Sequence, residues 1–220
     1  MARSILVIGG ASGIGKATVE RLKVNGDDVT FTTREQFDAT SPNSTLPLPE
    51  YIDGLVYCPG TINLKPFHRM TEEDFLRDFQ VNLLGAARIL QLALPALKKS
   101  ERASVVLFST VAVQIGMPFH ASIAAAKGAI EGLTRSLAAE WAPKIRVNAI
   151  APSLTNTKLA ASLLADEKRR SAAAERHPLK QIGEPKDVAE LVYYLLSDAS
   201  KFTTGQVLRP DGGMSSIRLF

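Results

Sequence analysis

The 220-residue chain is poor in several features that are diagnostic of whole protein classes. It has a single cysteine, Cys58, so no disulfide framework can form within the chain, and that usage fits a reducing compartment. No uninterrupted apolar run approaches the roughly 20 residues of a membrane span. The first ten residues lack the apolar region and cleavage site of a signal peptide. We therefore expect a cytoplasmic protein that has no membrane partner.

The chain also lacks a large excess of charge of either sign. The net charge is only +4, and lysines and arginines are spread along the chain without a basic stripe of interleaved aromatics, so we expect no nucleic-acid partner. No group of His, Cys, Asp and Glu has metal-ligand spacing, and we expect no metal site. A mild positive field does suit an anionic small molecule.

What the chain does contain is an alternation of short β-branched runs with helical patterns. Strands are predicted within residues 4–10, 28–34, 52–60, 103–110, 145–153 and 205–213, and helices within 13–25, 71–99, 122–141 and 185–197. Such alternation implies a parallel sheet with helices on both faces. We predict one doubly wound α/β domain over residues 1–220. Thr71 is the predicted N-cap of its long helix, with a kink near Pro95.

A glycine-rich turn follows the first strand. In "GGASGIG", Gly9, Gly13 and Gly15 join that strand to the first helix. Glycines at such a turn permit a tight bend, close approach of the backbone to a pyrophosphate and close helix–strand packing, while the helix N-terminus attracts anions. The motif predicts a dinucleotide site at the carboxyl end of the sheet.

The end of the second strand indicates which dinucleotide binds. An acidic residue there would accept hydrogen bonds from the adenosine ribose of NAD. This chain instead has Thr32, Thr33 and Arg34. Hydroxyl and guanidinium groups suit a ribose 2′-phosphate, so the sequence favours NADP(H).

These features, with "FDAT", "YCPG", "VNLLG" and "RVNAIAPSLTNTKL", resemble the short-chain dehydrogenase/reductase family over nearly the whole chain. The resemblance implies a Rossmann fold whose third helix and strand are cut down, because residues 34–38 form an unusually short connection. It implies cofactor contacts from Gly9, Ser12, Gly13, Ile14, Gly15, Thr33, Arg34, Asp38, Ala39, Pro59, Gly60, Lys127, Pro152, Thr155 and Thr157. The chain departs from the family pattern at Ile8, Tyr57, Cys58 and Ser153.

The largest departure concerns the catalytic residues. In this family a Tyr transfers the proton, a Lys four residues later lowers the Tyr pKa and holds the nicotinamide ribose, and a Ser polarises the substrate oxygen. Similarity places Lys127 and Thr110 at the Lys and Ser positions, and Asn82 at that of an Asn that holds a relay water. Ile123 occupies the Tyr position. An aliphatic side chain cannot transfer a proton.

Three interpretations of this loss stay open. His120, seven residues before Lys127, could replace the Tyr from about two helical turns away. Alternatively, Lys127 itself, or a water held by Asn82, Thr110 and Lys127, could deliver the proton. That arrangement suits an activated alkene as well as a carbonyl compound, because reduction of an alkene ends with protonation at carbon. In the third interpretation the protein binds NADP(H) as a sensor or scaffold without turnover.

The remaining expectations concern surroundings of the site. Residues 153–185 resemble the family's substrate lid over a small-molecule substrate. The two long helices, 71–99 and 122–141, are expected to form a homodimer or homotetramer, as the resemblance implies. His68 and His177 are predicted to be exposed, and Cys58 to pack in the sheet.

Overall fold

A six-stranded, all-parallel sheet organises the chain, and the computed structural model describes residues 2–218 of it. The strands are β1 (Ser4–Ile8), β2 (Asp28–Phe31), β3 (Gly54–Tyr57), β4 (Ala103–Phe108), β5 (Ile145–Ile150) and β6 (Val207–Leu208). Their order across the sheet is β2-β1-β3-β4-β5-β6. The prediction of a doubly wound α/β domain is thereby confirmed.

Helices cover both faces because successive strand residues point to opposite sides. They are α1 (Gly13–Val24), α2 (Glu72–Phe79), α3 (Gly85–Leu97), α4 (Ala112–Ile115), α5 (Ala121–Trp141), α6 (Glu167–Glu175) and α7 (Pro185–Leu196). Leu6, Leu55 and Val105 pack with α3 and α5, whereas Ile5 and Val56 pack with α1 and α7. The sheet therefore separates two apolar cores.

The sheet is short at one edge. Within residues 2–218, no strand lies beyond β2, and the chain from 32 to 53 forms turns and irregular backbone. This agrees with the predicted shortening of the third strand and helix. Its consequence is that β2 is an edge strand, with Phe31 38% exposed.

The long helix begins as predicted but is irregular elsewhere. Thr71 and Asp74 form a reciprocal capping box, in which Asp74 Oδ2 accepts from the Thr71 backbone at 3.0 Å. α3 continues through Pro95, so the proline does not end the helix, and the kink near it stays a prediction. A π-helical turn at Gln80–Leu84 lies between α2 and α3. Pro95 cannot donate to the carbonyl of Gln91. Both residues are exposed, so water can satisfy that carbonyl.

By length and composition alone, Glu72–Leu97 is the one helical stretch in the described chain that could cross a membrane. Core helices of globular proteins pass the same test. Ile89, Leu90 and Leu97 from this stretch are buried against the sheet. Core packing therefore accounts for the apolar residues on the inner face of this stretch.

The two ends of the segment predicted as a lid, residues 153–185, lie next to each other. Thr155 and Gly183 form an isolated parallel bridge, with Gly183 N donating to Leu154 O at 3.0 Å. Between them lie a 3-10 helix (Lys158–Leu164) and α6. Ala160, Leu164 and Ala173 form a small apolar cluster of their own. The bridge closes the segment into a loop that follows the end of β5.

Candidate functional site

A cavity of about 520 Å³ opens at the carboxyl ends of β3, β4 and β5, beneath α6. Ligand sites of open α/β sheets lie at this edge. Of the residues singled out by sequence, Ile14, Gly60, Thr110, His120, Lys127, Pro152, Thr155 and Thr157 line it. Gly9, Ser12, Gly13, Gly15, Thr33, Arg34, Asp38, Ala39, Pro59 and Asn82 do not line the cavity. Some of the predicted site residues thus line the cavity, and the others do not.

The glycine turn has the geometry that a diphosphate requires. A Cβ on Gly15 would lie 2.2 Å from the Gly9 carbonyl oxygen, so only glycine lets α1 approach the end of β1. Gly13 has φ +52°, and the methyl of Thr157 lies 3.3 Å from its Cβ position. The Ser12 hydroxyl does not cap α1, and the first turn has no acidic residue. The start of α1 therefore has backbone donors and a hydroxyl that does not cap the helix, as an anion-binding turn requires.

At the end of β2, only part of the predicted phosphate site is available. The Thr32 hydroxyl is buried and accepts from Gly9 N at 3.2 Å, so it supports the glycine turn instead of a ligand. Arg34 is exposed and Thr33 half-buried beside it. Asp38 accepts from the Thr40 backbone and hydroxyl, which lowers the pKa of its carboxyl.

Lys127 is the charged group at the centre of the cavity wall. It is 7% exposed, and its Nζ donates to the Phe108 carbonyl oxygen at 2.8 Å, at the end of β4. Burial disfavours the ammonium and lowers the pKa of Lys127 to about 8, while the Asp78 carboxylate acts in the opposite direction. Near neutral pH the cavity therefore contains a buried cation.

Asn82 faces the same point as Lys127. Its Nδ2 donates both hydrogens, to the Thr61 hydroxyl and to the Asp78 carbonyl, each at 2.8 Å. Its buried Oδ1 has no hydrogen-bond partner among residues 2–218. A Cβ on Gly60 would lie 3.4 Å from this Oδ1 and 3.6 Å from Lys127 Nζ. An acceptor and a cation thus converge beside a residue that has no side chain.

A buried carboxylate holds Asn82 in this orientation. Asp78 is 1% exposed and accepts from the hydroxyls of Thr61 and Ser122, each at 2.6 Å. The Thr61 hydrogen is committed to Asp78, so its oxygen must accept from Asn82, which fixes Oδ1 towards Lys127. Sequence reasoning missed this network, although Asp78 lies four residues before Asn82, a spacing that shares one helix face.

The candidate proton donor and the residues near it lie in different surroundings. His120 is the N-cap of α5, and its carbonyl accepts the first helical hydrogen bond from Ala124 N at 2.8 Å, so it lies about two turns before Lys127 at the start of the helix. Its Nδ1 donates to Pro118 O at 2.7 Å, which leaves Nε2 as the nitrogen that could act in the cavity. Thr110 lines the cavity, and Ile123 is 5% exposed in its wall. The position of the missing Tyr is therefore apolar.

The prediction that His177 is exposed is wrong. The side chain is 2% exposed, and its Nε2 lies 2.8 Å from the Ser153 hydroxyl. Its Nδ1 lies 2.9 Å from the Ala173 carbonyl, which can only accept, so Nδ1 carries hydrogen, and in the neutral ring Nε2 then accepts from Ser153. The lid folds over this residue, and that contact is not visible in the local sequence. His68, in contrast, is exposed as predicted.

Comparisons with known proteins agree with this geometry. A family model described as enoyl-(acyl carrier protein) reductase matches residues 48–215. A tropinone reductase homologue of Arabidopsis thaliana is 35% identical over 240 aligned positions, covering 96% of this chain and 92% of that protein. A tropinone reductase homologue of Datura stramonium is 34% identical, with 94% and 90% covered.

Solved structures show the same fold. Ligand-free aldohexose dehydrogenase from Thermoplasma acidophilum has a TM-score of 0.90 and 27% identity, covering 100% of this chain and 96% of that one. ElxO with NADP bound has a TM-score of 0.86 and 25% identity, covering 99% and 100%. A short-chain dehydrogenase family protein from Francisella tularensis gives 0.87 and 26%, covering 99% and 100%.

The lowered pKa of Lys127 predicts a specific pH dependence of stability. Between pH 8 and the ordinary lysine pKa of 10.5, the unfolded chain binds a proton that the folded protein has released. The free energy of unfolding of the parent protein, compared with that of the Lys127→Met variant, should therefore rise by about 3 kcal/mol as the pH increases through this window. Urea unfolding of both proteins without cofactor measures the difference. A difference that stays constant from pH 8 to 10.5 would contradict a desolvated Lys127.

Proposed function

Because the chain belongs to the short-chain dehydrogenase/reductase family of oxidoreductases, we propose that it is an NADPH-dependent reductase of a small carbonyl compound or activated alkene. The main support is the convergence of Lys127 Nζ and Asn82 Oδ1 beside Gly60, in a cavity that Thr110 also lines. A cation, an acceptor and a hydroxyl then surround the position at which a nicotinamide ribose and a substrate oxygen would meet.

The residues present fit NADP(H). When bound, the cofactor supplies the hydride. The free hydroxyl of Ser12 and the N-terminus of α1 would hold its diphosphate, and Arg34 with Thr33 would hold the 2′-phosphate. The other contacts would come from Gly9, Gly13, Ile14, Gly15, Asp38, Ala39, Pro59, Gly60, Lys127, Pro152, Thr155 and Thr157. NADP bound to the similar ElxO structure favours the same cofactor.

In this proposal a water held by Asn82 and Lys127 delivers the proton. The unpartnered Oδ1 accepts one hydrogen of that water, and the Lys127 ammonium donates to its oxygen and makes it more acidic. Thr110 orients the substrate oxygen. His120 is a second candidate donor, because it lines the cavity and its Nε2 has no hydrogen-bond partner in the described structure.

The apolar part of the wall defines what can be reduced. Ile62, Leu64, Met117, Ile123 and Leu159 line the cavity, so the reducible group arrives on an apolar body. An activated alkene needs its proton at carbon, and a mobile water meets that need without a fixed phenol. The tropinone reductase homologues favour a carbonyl substrate instead, and both classes belong in the test.

We also propose a homodimer or homotetramer, located in the cytoplasm. Leu76, Leu84 and Leu92 are between 39% and 52% exposed on the helical stretch formed by α2 and α3. Covering them against a second copy would remove apolar surface from water. Sedimentation equilibrium should give a dimer or tetramer mass, and Leu84→Glu should shift it towards the monomer; a monomeric parent protein would contradict the proposal.

The function itself is tested by NADPH consumption. We expect absorbance at 340 nm to fall with members of a panel of ketones and enones, and to fall more slowly with NADH. Arg34→Ala should raise the KM for NADPH several-fold and leave that for NADH unchanged, because only NADPH has the 2′-phosphate. NADH thus serves as the internal control for this variant. Tight NADPH binding without turnover on any panel member would instead indicate a non-catalytic sensor or scaffold.

The proton donor is tested by matched variants. Asn82→Ala should lower kcat at least tenfold with little change in the KM for NADPH, because it removes the acceptor that holds the water. His120→Ala should leave kcat and its pH profile unchanged. Ile123→Tyr should increase carbonyl reduction, because a phenol would then lie one helical turn from Lys127. Loss of turnover in His120→Ala, with Asn82→Ala unaffected, would assign the proton to His120.

A further inference from the structure

The lid helix α6 presents two arginines to the cavity. Arg169, Ala172, Ala173 and Arg176 all line it, and their spacing of three, four and seven residues defines one helix face. The two guanidinium-bearing residues are therefore separated by alanines, which leave space between the lid and the floor of the cavity. Lys168 lies on another face of α6 and does not line the cavity.

The cavity has cationic side chains and no anionic one. Among its described lining residues are Lys127, Arg169 and Arg176, and none is Asp or Glu. Lys127 is bound by Phe108 O, and Arg169 pairs with Asp166 at 3.3 Å. The Arg176 side chain makes neither an ion pair nor a hydrogen bond with residues 2–218. Within residues 2–218, one cation at the cavity therefore has no partner.

Arg176 is at the end of the cavity away from the glycine turn. It also borders an outer depression, together with His177, Met214, Arg218 and the ion pair of Glu175 with Lys180. No residue of the turn that would hold the cofactor diphosphate borders that depression. The free charge of Arg176 is thus placed for the substrate and not for the cofactor phosphates.

The neighbouring polar pair does not compete with Arg176 for an anion. With a neutral imidazole, the Ser153 hydroxyl donates to His177 Nε2, and His177 Nδ1 donates to Ala173 O. Neither group retains a hydrogen for an anionic ligand while these bonds persist. Arg176 is therefore the principal donor for an anion at this end of the cavity.

We infer that the substrate carries a carboxylate at the end opposite its reducible carbonyl or alkene, and that Arg176 binds it. This inference rests on the proposed reductase function. A guanidinium pairs with a carboxylate through two parallel hydrogen bonds, and one unpaired arginine matches one negative charge. The lid would then both close the cavity and select acids over neutral compounds of the same shape.

The test uses acids with their methyl esters. The pairs are 4-acetylbenzoate with methyl 4-acetylbenzoate, and 4-oxo-4-phenylbut-2-enoate with its methyl ester. With the parent protein and NADPH, kcat/KM should be higher for each acid. Arg176→Gln should lower kcat/KM for the acids about 10- to 100-fold and leave the esters within twofold, as expected for losing a charged hydrogen-bonded pair. Lys168→Gln, which removes an equal charge from α6 outside the cavity, should change neither.

A binding measurement separates this inference from the reductase proposal. If no acid or ester is reduced, calorimetric titration of 4-acetylbenzoate into the NADP⁺-loaded protein still reports whether the carboxylate is bound. Binding by the parent protein that is lost in Arg176→Gln and kept in Lys168→Gln would support the anion site although reduction had failed. Absence of binding, equal binding by Arg176→Gln, or a parent protein that prefers the esters would overturn the inference.

Discussion

The buried ammonium of Lys127 is the constraint on which the arrangement of the site depends. Removing an ammonium from water is costly, and the structure offsets this with oxygen atoms from different elements. The Phe108 carbonyl comes from the end of β4, and Asp78 and Asn82 come from the helical stretch that covers the neighbouring strand. These groups reach one point only because parallel strands end together at the same edge of the sheet. The fold thus fixes the position of the Lys127 ammonium, around which the other polar groups of the site are arranged.

The π-helical turn at Gln80–Leu84 has a place in this arrangement. Asn82 lies within it, and its side chain donates back to the carbonyl of Asp78, one turn earlier. Single π turns inside α-helices are frequent at functional sites. Here the turn, the Asp78 carboxylate and the Thr61 hydroxyl together determine which end of the Asn82 amide faces Lys127. The orientation of one amide is therefore fixed by hydrogen bonds that involve both backbone and side chains.

The sequence was informative wherever a local pattern determined the structure. Strand–helix alternation predicted the sheet, the capping box predicted the start of α2, and the short connection after β2 predicted the missing edge strand. It failed where tertiary contacts decide. His177 is buried only because the lid folds over it. That Arg176 has no side-chain partner in the described part of the chain likewise depends on the whole surface around it, which no local pattern contains.

Ile123 at the Tyr position limits the roles that Lys127 can have in the site. In a site with a Tyr, a lysine one turn away lowers the pKa of the phenol, and here no phenol is present. A buried lysine whose pKa is lowered to about 8 is less favourable than an apolar residue of similar size, so packing does not explain it. In the proposed function, its remaining roles are to bind the cofactor ribose and to act on a water held by Asn82. The second role leaves the proton on a small, mobile donor, which can reach a carbon atom that a fixed phenol could not. Under this proposal, the loss of the Tyr shifts the chemistry that the site favours towards activated alkenes.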